Sequence, residues 1–60
     1  MEKQIIYCEA TYANTLDWFP VRDTQDYKNK LAQLRANYSN VQVVFREWSD
    51  GTVEDGELED

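Results

Sequence analysis

The sequence predicts an α+β fold: a single small domain over 1–60, of order β(β)αββ, with one helix packed on a three- or four-stranded mixed or antiparallel sheet. Three observations predict it. A run rich in β-branched and aromatic residues, Gln4 to Tyr12, opens the chain. A stripe of apolar residues at helical spacing occupies its middle. A second β-rich run, Val41 to Trp48, is followed at once by Asp50-Gly51, a hairpin signal.

The first run, QIIYCEATY, contains no Gly or Pro and is apolar on both alternating sets. Simple alternation places Ile6, Cys8, Ala10 and Tyr12 on one face and Ile5, Tyr7, Glu9 and Thr11 on the other, which suits a central strand. The segment 14–21 reads two ways: a short strand returning beside the first, or a loop whose Trp18 and Phe19 cap the core. Pro20 ends it either way and holds Phe19 extended.

Asp23 to Tyr38 is the helix. Asp23 or Thr24 caps its start, and Asp26 in the first turn suits the helix dipole. Tyr27, Leu31, Leu34 and Tyr38 fall at i, i+4, i+7 and i+11, while Lys28, Lys30, Gln33, Arg35 and Asn37 fall off that stripe and face water. After VQVVFREW, a two-residue type I′ turn at Asp50-Gly51 would pair Trp48 with Val53, Glu47 with Glu54, Arg46 with Asp55 and Val43 with Leu58. Glu47 facing Glu54 weighs against that register. The last strand would be a short, charged edge.

Charge is distributed unevenly. Residues 1–46 hold five acids and six bases, a net of +1; residues 47–60 hold seven acids and no base, a net of −7, so the C-terminal hairpin or tail carries all of the overall −6. That segment repeats D-G-x-[V/L]-E twice, too few copies for a solenoid. A chain of 60 residues has a thin stability margin, and its single cysteine excludes an internal disulfide. Eight aromatics make dense packing available, and a bound partner is the other route to stability.

These features exclude several chemistries. Without histidine, the usual base of Ser or Cys nucleophilic systems is missing. Both glycines lie in the acidic segment, so no phosphate loop exists. Counting from Asp50, an EF-hand fails at its sixth position, Asp55, and runs out of chain before its twelfth. No catalytic residue, cofactor or metal ligand is therefore expected. Strong negative charge opposes direct nucleic-acid binding, and Lys28, Lys30 and Arg35 read as a solvated helix face. No apolar run approaches the ~18–20 residues of a membrane span, and neither a signal peptide nor paired cysteines appear. The expected location is the cytoplasm, of the native or of a host cell.

Binding to a protein remains. The expectation is a small acidic module that inhibits a basic, nucleic-acid-handling protein by presenting carboxylates where phosphates would lie, as nucleic-acid mimics of phages and mobile elements do. Its expected contacts are Glu47, Trp48, Asp50, Glu54, Asp55, Glu57 and Glu59 of the acidic segment, with Trp18; both tryptophans are expected to be exposed. The alternative is a plain interaction or homodimerisation domain using an apolar sheet face, with the acidic end serving only solubility.

Overall fold

The computed structural model describes residues 2–58. Strands β1 (Ile5–Tyr12) and β2 (Thr15–Pro20) precede helix α1 (Thr24–Asn37), which is followed by β3 (Gln42–Trp48) and β4 (Val53–Asp55). All pairings are antiparallel, in the sheet order β2-β1-β3-β4, and the helix packs on one side. The fold is α+β, with 14–21 resolved in favour of the strand. Among the described residues no helix is long and apolar enough to cross a membrane.

The type I′ turn expected at Asp50-Gly51 lies instead in the first hairpin. Tyr12 pairs with Thr15, leaving a two-residue loop in which Ala13 and Asn14 have φ of 51° and 60°. Positive φ at both positions is what a type I′ turn requires, so that turn lies here and not at Asp50-Gly51. Between β3 and β4 the loop has three residues: the Gly51 N–H donates to Trp48 O (2.9 Å), the Trp48 N–H donates to Thr52 O (2.8 Å), and Gly51 alone has positive φ, 90°. The extra loop residue slips the register by one. Glu47 faces Val53, Arg46 faces Glu54 and Phe45 faces Asp55. The like-charge pair of Glu47 and Glu54 is thereby replaced by an ion pair, and the slip turns every β4 side chain to the opposite face.

Two bulges reset the faces of the central strands. From Ile5↔Trp48 to Tyr7↔Glu47, β1 advances two residues while β3 advances one. The extra residue, Ile6, brings Ile5 onto the side of Cys8 and Ala10; the simple alternation had placed it opposite them. From Glu9↔Phe45 to Ala10↔Val43 the extra residue is Val44, on β3. Val41 and Val43 therefore share the helix side with Arg46 and Trp48, not with Phe45 and Glu47, and all four are buried. Trp48 is only 8% exposed, so the expectation of an exposed Trp48 fails because of this half-turn of the strand.

The helix is set as its sequence predicts, one residue shorter at each end. Asp23 caps it, its Oδ1 accepting from the Asp26 N–H at 2.7 Å, while Asp26 Oδ2 accepts from the Arg22 N–H at 3.0 Å. Tyr27 and Leu31 are buried and Leu34 half-buried, but Tyr38 leaves the helix as an extended cap and rests against Tyr12. The core thus comprises Ile5, Cys8, Val21, Tyr27, Leu31, Val41, Val43 and Trp48.

Candidate functional site: the open sheet face

With the helix on one side of the sheet, ladder register dictates what the other side carries. Tyr7, Glu9 and Thr11 of β1 stand beside Pro20, Trp18 and Leu16 of β2. On their other flank, Glu47 lies beside Tyr7 and Phe45 beside Glu9; Val53 and Asp55 of β4 complete the row. Trp18, Leu16 and Val53 are more than half exposed, and Tyr7, Glu9, Phe45 and Glu47 are half-buried. The rings of Tyr7 and Trp18 stack with centroids 4.7 Å apart and planes 8° from parallel. The face therefore carries an aromatic platform, apolar flanks and three carboxylates: Glu9, Glu47 and Asp55.

The four strands give it no cation: they contain one basic residue, Arg46, which the β3 bulge turns to the helix side, and exposed Arg22 lies beyond the end of β2. Its guanidinium donates to the carbonyl oxygens of Asp55 and Gly56 and to Glu54 Oε1, leaving Nε without a partner. Lys28, Lys30 and Arg35 belong to the helix, and Lys3 lies over the ring of Trp48 at 4.8 Å. Among the described residues, the carboxylates of Glu9 and Glu47 have no hydrogen bond or ion pair.

The acids expected to form one strip are dispersed. Glu47 and Asp55 lie on the open face with Trp18. Asp50 closes the β3–β4 loop, and Thr52, through its side chain first and then its N–H donating to Asp50 Oδ1 at 2.9 Å, holds the carboxyl below the usual range. Glu54 turns to the helix side and accepts from the buried Trp48 indole N–H and from Arg46. Glu57 takes both arms of the Arg35 guanidinium at 2.8 and 2.6 Å, which lowers its pKa. Glu59 lies outside the described residues. Trp48, Glu54 and Glu57 are thus engaged within the fold. Tyr7, Glu9 and Phe45 were missing from the expected contacts, although the β1 alternation already set Tyr7 and Glu9 on one face.

Elsewhere the titratable groups read as structural. Cys8 is fully buried, and burial pushes its thiol up to about 11 even though Arg46, its cross-strand neighbour, acts to lower it. Burial also raises Tyr27, whose hydroxyl accepts from the Leu58 N–H. Among the described residues no group of three or more His, Cys, Asp or Glu side chains is placed to hold a metal ion. No family model, curated protein or solved structure matches this chain.

Proposed function

We propose that this chain is a non-enzymatic protein-binding module that docks the basic surface of a nucleic-acid-handling protein on its open sheet face and inhibits it by occupying that surface. One observation carries the reading: the sheet side left bare by the helix combines exposed aromatic and apolar side chains with Glu9, Glu47 and Asp55, and no strand residue among those described puts a cation beside them. Planar rings beside carboxylates resemble, in size and sign, the bases and phosphates of a single strand. A groove built for nucleic acid offers the complementary set of Arg and Lys. The same charges weigh against the alternative, a homodimer through this face, because stacking two copies would bring six carboxylates together with no strand residue to supply a base between them. The binding role moves away from the loop and tail and onto the sheet, with Trp18, Glu47 and Asp55 retained from the acidic reading.

The test compares the chain with its Glu9→Gln, Glu47→Gln, Asp55→Asn triple variant. Both are used to capture partners from the native cell, and association kinetics are then measured at two salt concentrations. The expected partner is basic, is lost by the variant, and associates more slowly once salt shortens the screening length below ~8 Å. It also releases bound nucleic acid when the chain is added. Equal capture by the variant, with association indifferent to salt, would refute the reading.

A further inference from the structure

We infer that Trp18, Tyr7 and Glu9 form a guanidinium subsite, which takes an arginine side chain from the docked protein; this rests on the binding reading above and specifies its chemistry. Four features of the face converge on it. Trp18 is 54% exposed although Tyr7 is stacked in parallel on it, so the second side of the indole is the side offered to a partner. Glu9 stands directly across the ladder from Trp18, at the spacing of about 4.5–5.5 Å between Cβ atoms that such pairs have. It is half-buried, with Phe45 across its other flank, and its carboxylate has no partner among the described residues. Finally, the other tryptophan, Trp48, is already covered by the chain's own Lys3. Among the described residues, the tryptophan with no cation over its ring is the one that faces out.

The chemistry selects arginine over lysine. A guanidinium is planar, weakly hydrated and presents its donors as a fork; it lies flat on an indole while its edge donates to a carboxylate. An ammonium is a compact, strongly hydrated charge that can sit over an indole, as Lys3 does over Trp48, but it makes no bidentate bond to the carboxylate alongside. The chain makes the same choice internally, where Arg35 grips Glu57 through both arms. Glu47, beside Tyr7, adds a second carboxylate on the same platform and favours a segment bearing more than one arginine.

Oligo-arginine and oligo-lysine peptides of equal length serve as probes, titrated at low salt into the folded protein while the two indole N–H resonances are followed by NMR. The wild-type chain is expected to bind the arginine peptide about tenfold more tightly, with the Trp18 indole shifting and the Trp48 indole unmoved. Trp18→Leu and Glu9→Gln should each erase most of that preference while lysine binding persists. Asp50→Asn, which removes a charge away from the face, should preserve the preference. Equal affinity for the two peptides, or a preference that survives both Trp18→Leu and Glu9→Gln, would overturn the subsite. If lysine and arginine peptides bind equally and the triple carboxylate variant binds neither, the basic-partner reading stands and the arginine subsite falls. If neither peptide binds the wild type, or if the Trp18 signal reports self-association instead, both fall.

Discussion

Arg46, on the helix side of β3, is only 7% exposed, and replacing it in two ways separates the contributions of its stem and its guanidinium. In Arg46→Met the stem stays packed and the fork is lost. The carbonyls of Asp55 and Gly56 lose their donor, but they sit on an edge where water reaches, so each lost bond costs nearer 1 than 3 kcal/mol. Against this, the change removes the burial of a charge whose Nε has no partner, a penalty of several kcal/mol in its own right. Glu54 is left behind about half exposed, so it adds little. The two sides nearly cancel, and Arg46→Met should fall within about 1 kcal/mol of wild type. Arg46→Ala also loses the stem beyond Cβ, two methylenes at about 0.8 kcal/mol each plus the cavity they leave, for a total of about 2–3 kcal/mol. That is a large part of the ~3–9 kcal/mol a chain of this length is expected to have. Urea unfolding of both variants, followed by tryptophan fluorescence and far-UV circular dichroism, measures the difference. Equal losses in the two would place the stabilisation in the guanidinium's bonds and refute the reasoning.

Leu31→Ala, at the centre of the buried helix stripe, should cost about 2–4 kcal/mol, and the exposed Gln33→Ala less than about 0.5 kcal/mol in the same melts. Joining Ala13→Asn to Asn14→Gly relieves an alanine held at positive φ and should raise stability by about 1 kcal/mol, read as a higher urea midpoint with unchanged slope. At the alkaline end, Cys8 has a folded pKa near 11 against an ordinary 9.0, so its contribution is complete below pH 9.0 and is lost as pH rises towards 11. Buried Tyr27 shifts in the same direction, and Cys8→Ala should flatten part of the alkaline decline in thermal midpoint. Glu57 behaves in the opposite sense: lowered by Arg35, it contributes above its ordinary 4.5 and loses that contribution as pH falls through its folded value. Because the pair is nearly half exposed, Arg35→Gln should reduce acid stability only slightly.

The elements were legible where a local pattern decides them. The stripe Tyr27, Leu31, Leu34 announces the helix, and the β-branched runs announce β1 and β3, because burial of one periodic face is a local requirement. Facing was not legible. Side chains alternate with a period of two, so one unpaired residue reverses everything beyond it, and nothing in the letters around Ile6 or Val44 marks a bulge. Trp48 was misread for that reason, and the β3–β4 register for another: Asp50-Gly51 serves a three-residue loop as readily as a two-residue one. Charge was legible as a total, but not that Arg35 and Arg46, distant in sequence, would take up Glu57 and Glu54. Trp18 was expected to be exposed and is, 54% open on β2; Glu9 was not singled out because it lies outside the acidic segment.

The bulge at Val44 makes the chemistry of a whole surface depend on one residue staying out of the ladder. Were Val44 drawn into the pairing, strict alternation would return to β3. Phe45 and Glu47 would then face inward with Val43, and Arg46 and Trp48 would face outward beside Glu9. The core would gain an acid in place of a tryptophan, and the acidic face would gain a cation. Gradual drift between those two arrangements is unavailable, since a strand has no half-register. Loss of Val44 itself is therefore the change in length that β3 absorbs, because it leaves Val43 and Phe45 adjacent on the faces they already occupy.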